Sequence, residues 1–169
     1  MTLATTLTLQ IQAYLSKSLD LSLSPNAPLD HKFEDTLADG TGADQADLLF
    51  TDTRTISASS NDDLDLAGGL TDPLGDTLTF VRIKAMFISA AAGNTNNVLV
   101  GGAGANDFIN WVGNSSDIIV VMPGGGFFLF APDATAYAVT AGTGDILRVA
   151  NSAGGSTVDY DIVLIGSSA

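Results

Sequence analysis

The chain has 169 residues, 46% of them apolar and only 15% charged, which is enough apolar material for a core and too little charge for a disordered segment. Nineteen acidic residues against six basic ones give a net charge of −13, a balance that repels nucleic acid and anionic membranes, since phosphate binding needs lysine and arginine. With no cysteine there is no disulfide framework, no thiol nucleophile and no thiolate metal site.

The acids are almost all Asp, with Glu34 the single Glu. Asp favours turns and caps where Glu favours helix interiors, which argues against a helical protein. The start, MTLATTLTLQ, lacks the basic residues and continuous apolar run of a signal peptide, and the apolar cluster at 127–131 is far too short to span a bilayer. The expectation is a product made in a cytoplasm that stays soluble or joins an assembly.

Residues 5–23 alternate in two pieces. Leu7, Leu9 and Ile11 share one face, and Leu19, Leu21 and Leu23 share another, so two half-buried strands are predicted. Residues 24–47 contain Pro25, Pro28, Gly40 and Gly42 and read as an extended acidic connector, with a short helical turn around 31–37. The division is thus 1–47, amino-terminal strands and connector, and 48–169, a sandwich body. Acid is concentrated early: residues 1–76 carry a net −10 and the remainder −3.

In the body, 48–50 and 54–57 predict an interrupted strand and 62–66 a second one, followed by turns at Gly68-Gly69 and Asp72-Pro73. Residues 77–90 predict the longest strand, apolar on both faces and therefore central. A hairpin turn at 94–97 leads into 98–100, and further strands are predicted at 108–112, 118–122, 127–130, 137–140, 146–150 and 157–165. The last is the cleanest, with Val158, Tyr160, Ile162 and Leu164 on one face and Asp159, Asp161, Val163 and Ile165 on the other. Many short strands at regular spacing predict an all-β fold, an antiparallel sandwich with an extended amino-terminal arm.

Candidate chemistry is sparse. His31 is the only histidine; Asp30 precedes it, but no Gly-x-Ser-x-Gly elbow exists, so a solvent-facing histidine is the expectation. Carboxylates crowd at Asp39, Asp44 and Asp47 and at Asp62, Asp63 and Asp65, the oxygen-rich chemistry calcium takes, but Leu37 stands where an EF-hand ligand is required. The stretch 101–109, GGAGANDFI, is close to a calcium-binding nonapeptide with Asn106 at the usual Asp position, yet a single copy cannot stack. It also matches half a dinucleotide fingerprint, with Asp107 at the third glycine and no helix after it. Trp111 with Tyr137 or Phe108 is a candidate sugar platform, against the more usual core role. Nothing in the spacing favours a carboxylate pair for glycoside hydrolysis. Arg82 and Lys84 lie two apart on one strand, a spacing for pairing with Asp side chains of a neighbour. No catalytic, cofactor-binding or metal site is predicted, and the protein is expected not to be an enzyme.

Four stretches carry a resemblance: 37–56, LADGTGADQADLLFTDTRTI; 63–80, DLDLAGGLTDPLGDTLTF; 141–152, AGTGDILRVANS; and 157–169, TVDYDIVLIGSSA. Together they resemble a family of small virion structural proteins from tailed bacteriophages and prophages, over about three-quarters of the chain. The resemblance implies a jelly-roll-like β-sandwich on the virion, either a cement or decoration protein on the capsid exterior or a tail-associated fibre or receptor-binding module that recognises host-surface glycans. Its implied partners are the major capsid protein lattice and further copies of itself, as a dimer or trimer, with no nucleic acid and no membrane. It carries no catalytic residue over. The candidate contact segment is the uncharged alternating start, Thr5, Leu7, Leu9 and Ile11, suited to pairing with a strand edge.

Overall fold

The computed structural model describes residues 2–169. Fourteen strands follow one another: β1 (Thr5–Ser16), β2 (Asn26–Asp39), β3 (Gln45–Ala46), β4 (Leu48–Ile56), β5 (Asn61–Asp65), β6 (Ala67–Thr71), β7 (Thr77–Thr79), β8 (Arg82–Ala90), β9 (Val98–Gly101), β10 (Ile118–Val121), β11 (Gly126–Phe130), β12 (Tyr137–Ala138), β13 (Ile146–Asn151) and β14 (Val158–Ser167). The fold is an antiparallel sandwich, as the alternation predicts.

Its body has jelly-roll topology. One sheet runs β11-β8-β14-β4, with β12 also pairing with β8; the other runs β10-β9-β13-β5. Taking β4, β5, β8, β9, β10, β11, β13 and β14 as eight strands, the first pairs with the eighth, the second with the seventh, the third with the sixth and the fourth with the fifth. That nested order is the signature of a rolled-up double sheet.

Period-two alternation builds the core. From β14, Val158, Tyr160, Ile162 and Leu164 point inward, met by Met86 and Ile88 of β8 and by Val98, Val100, Leu147 and Val149 of the facing sheet. The 77–90 stretch is not one strand. Phe80 is buried in the core between β7, which pairs with β6, and β8, which lies between β11 and β14. At the bulge between Ile165 and Gly166, a methyl added to Gly166 would stand 2.1 Å from the Arg82 carbonyl, so only glycine fits. Two further predictions change. Residues 108–112 form no strand, since Phe108 and the loop after it close the core, and residues 94–97 carry the chain from one sheet to the other instead of closing a hairpin.

A polar clasp joins the sheets where β4 and β5 lie at the same end. Arg54 donates from Nε to Asp62 Oδ2 at 2.5 Å and from Nη2 to Asp62 Oδ1 at 3.1 Å, and from Nη1 to Asp52 at 2.8 Å. The Tyr160 hydroxyl donates to Asp62 Oδ2 at 2.9 Å. Burial, then the Asp62 carboxylate, holds the Tyr160 phenol well above the usual tyrosine range. A raised phenol pKa supplies stability that is whole below the unfolded-state value of about 10 and is lost as pH rises towards the folded-state value. Tyr160→Phe has nothing to ionise there. Its stability deficit relative to the parent, about 1 kcal/mol for the lost hydrogen bond, is expected to stay constant up to about pH 10 and to narrow above it. Denaturant midpoints measured across that range check this, and a deficit that widens above it would reject the assignment.

Candidate functional site

The segment ahead of the body is one long hairpin. β1 and β2 pair in unbroken antiparallel register from Thr5 opposite Leu37 to Ser16 opposite Asn26. Residues 26–39, expected as a connector with a helical turn, are therefore a strand. Leu29, His31, Phe33, Asp35 and Leu37 alternate along it, and Pro28 is tolerated because only the end of β2, at Ala38 and Asp39, has a second neighbour, the parallel β3. Leu19, Leu21 and Leu23 are not a strand but the exposed hairpin tip, where Leu21 and Ser22 take left-handed backbone angles near +60°.

Residues directly opposite share a face. One face holds Leu7, Leu9, Ile11, Ala13 and Leu15 from β1, opposite Asp35, Phe33, His31, Leu29 and Ala27 from β2. The other holds Thr6, Thr8, Gln10 and Gln12 opposite Thr36, Glu34, Lys32 and Asp30. On this polar face Gln10 and Gln12 donate to Asp30 at 2.9 and 3.3 Å, and Lys32 pairs with Glu34. The hairpin is thus a ribbon with one mainly apolar side and one mainly polar side, Tyr14 and Pro28 lying at the far end of the polar one.

Only its root touches the body. Leu37, Ala46, Ala85 and Ile165 form a second buried cluster on the outer face of the β11-β8-β14-β4 sheet, with Leu3, Leu7, Leu49, Phe128, Phe130 and Val163 against it. Phe33 meets Phe130 edge-on at 5.7 Å, and the Leu3 N–H donates to Asp39. Beyond the root, residues 8–34 are exposed without exception. From Gln10 to Ser16 the ribbon runs free for about 20 Å at ~3.4 Å per residue. On it Ile11 is 52% exposed, Tyr14 71% and Leu15 76%, an unusual display of large apolar groups.

Lys84 pins the loop that carries the root. It is fully buried, and its Nζ donates to the carbonyls of Gly42 at 2.9 Å, Asp133 at 2.5 Å and Pro132 at 3.3 Å. Burial lowers its pKa, and the Asp133 and Asp44 carboxylates oppose that. The expected pairing of Arg82 and Lys84 with Asp side chains is therefore corrected: Lys84 binds backbone oxygens, and Arg82 forms no ion pair among the described residues.

The remaining candidates are placed as follows. Thr5 and Leu7 sit at the half-buried root, Leu9 and Ile11 on the exposed ribbon. His31 lies opposite Ile11 on the apolar face, exposed, while Asp30 is turned to the other face and held by glutamines. Asp39 caps the Leu3 amide, Asp47 accepts from the Ser168 N–H and hydroxyl, Asp63 is paired with Arg148, and Asp65 accepts from the Ala67 N–H. Arg148 draws the Asp63 pKa down. No group of three or more metal-ligating side chains gathers among the described residues. In the 101–109 loop, burial pushes the Asp107 carboxyl up, and Phe108 enters the core. Trp111 stacks on Phe127 at 6.1 Å and donates its indole N–H to the Phe108 carbonyl at 2.8 Å, so its ring belongs to the core margin and not to an open platform.

Most of the candidate polar side chains of the body thus hold loops and sheets together, and large apolar groups are exposed on the arm and, on the body, at Leu74, Ile118, Val120 and Met122. The chain matches no protein-family profile, and no curated protein or solved structure matches it.

Proposed function

We propose that this protein is a structural subunit of a phage virion, a capsid cement protein that is made in the host cytoplasm, binds the major capsid protein lattice from outside and stabilises it. The observation that carries the reading is the free stretch of the arm, an uncharged apolar surface held out from a chain of net charge −13. The jelly-roll body fits the same setting, because it is a common architecture of capsid proteins, although lectins and enzymes use it too.

The mechanism is burial. Leu9, Ile11, Leu15 and Leu29, roughly half exposed or more, offer at most about 1 kcal/mol each on docking, about 4 kcal/mol per arm. That corresponds to an affinity no tighter than about the millimolar range before ordering costs. A single arm is a weak tether. Cementing would come from many copies and more than one attachment per copy, each bridging a seam.

Quantitative mass spectrometry of purified particles tests the reading. Hundreds of copies per particle, with particles lacking the protein breaking at lower temperature or lower salt, are the expected result. A few copies confined to the tail, or none, would overturn it.

A further inference from the structure

β1 uses only one of its edges. Among the described residues no strand of this chain pairs with its other side. An open edge presents a row of backbone donors and acceptors, and proteins usually blunt it with charge, proline, a bulge or short length. The twelve residues of β1, TTLTLQIQAYLS, contain none of these devices. The outer strands elsewhere do: β2 carries Pro28, Asp30, Lys32, Glu34 and Asp35, β4 carries Asp52 and Arg54, β5 carries Asp62, Asp63 and Asp65, and β10 and β11 have four and five residues. Within one hairpin, one edge is guarded and the other is open.

We propose that β1 pairs antiparallel with β1 of a second copy, so that two arms merge into a four-stranded sheet with β2 at each outer edge. A two-stranded ribbon in water is marginal, whereas three or more strands with one apolar face hold together. The open edge is what completes the sheet. Pairing of identical antiparallel strands is two-fold symmetric, so each backbone group meets its complement on the equivalent strand.

Side-chain parity fits a two-fold axis at Ile11. That register sets Leu9 beside Ala13 and Leu7 beside Leu15 of the second copy, keeping both apolar faces on one side and both rows of Thr and Gln on the other. It also explains a groove on the body. Residues 6–9 of β1 with Phe87, Phe128 and Val163 line a mainly apolar trough to which β2 contributes no residue, which places it on the free side of β1. Leu15 of the second copy, 76% exposed on its own ribbon, arrives beside Leu7 and fills it.

Charge and area point to the same occupant. Two chains of net charge −13 repel, and β1 is a stretch through which they can meet without opposing acids. An edge about 40 Å long and ~10 Å thick buries on the order of 400 Å² per copy, about 800 Å² for the pair before the trough is counted. Filling the trough on both copies brings the contact towards the ~1,200 Å² of a specific interface.

The test uses the full chain alone, so a negative result leaves the virion reading to its own copy-number experiment. Sedimentation equilibrium over a concentration series should give twice the 17.3 kDa chain mass. Ile11→Lys sets two like charges at the axis and should weaken association at least about tenfold, with the melting of the body unchanged because Ile11 touches only the ribbon. The chain has no cysteine, so Ile11→Cys should close a disulfide dimer under mild oxidation, while Ser60→Cys on the body should not. A monomer at every concentration, a trimer, a dimer indifferent to Ile11→Lys, or a dimer that never cross-links at position 11 would each overturn the proposal.

Discussion

Lys84→Met is expected to destabilise the body by about 2 kcal/mol and to loosen the root of the arm in the same step. Methionine nearly matches lysine in length and volume, so the change leaves no large cavity; what it removes is the donor. The ammonium has three protons and meets three carbonyls, those of Gly42, Pro132 and Asp133. Without it the Gly42 and Asp133 oxygens lose this donor, at about 1 kcal/mol each, while the Pro132 oxygen keeps a second one. Two of the three belong to the turn after β11, where the Pro132 carbonyl also accepts the Asp44 N–H. The third belongs to the loop 40–47, which joins β2 to the sandwich. Denaturant melts measure the first effect, and faster amide exchange over 40–47 measures the second. A loss under about 1 kcal/mol with unchanged exchange would mean that the three contacts are incidental.

The strands of the body were legible wherever one face is buried and the other is not. β14 shows its alternation cleanly because Val158, Tyr160, Ile162 and Leu164 face the core while Asp159 and Asp161 face solvent. β2 was obscured by the same rule in reverse. Its apolar residues at 29, 33 and 37 keep period two, but Pro25 and Pro28 and four charges from 30 to 35 look like connector chemistry when the strand is exposed on both sides. Leu19 to Leu23 alternates as well, yet the ladder closes at Ser16 and Asn26, and no glycine or asparagine marks the left-handed turn at Leu21 and Ser22. Sheet order is a matter of pairs such as β4 with β14, more than a hundred residues apart, and no local pattern encodes it. Thr5, Leu7, Leu9 and Ile11 stood out as one uncharged alternating row. Their division into a seated root and a free ribbon depends on Leu37, Ala85, Ile165 and Phe128, which come from four other strands, three of them far along the chain. Lys84 was the least legible of all, since its partners are backbone atoms 42 to 49 residues away.

Shortening the arm should abolish attachment to particles while leaving the body intact. Gln10 and Lys32 are opposite one another in the ladder, so residues 11–31 can be removed and the two strands rejoined through a two-residue Asn-Gly turn, the loop that suits a tight hairpin. Every residue removed is exposed, whereas Leu3, Leu7, Phe33 and Leu37, which seat the root, are kept. The stability of the sandwich should therefore change by no more than about 0.5 kcal/mol. Deleting 1–15 instead is a blunter experiment. It strips Leu3 and Leu7 from the cluster around Leu37 and Ile165 and leaves β2 without its partner, so loss of binding would be entangled with loss of structure. In the shortened protein the two effects separate. Binding to particles stripped of the native protein should fall to background, and those particles should keep the lower heat resistance of undecorated ones. If the short-armed protein still decorates particles to full copy number, the lattice contact belongs to the sandwich body, and the apolar ribbon serves self-association alone.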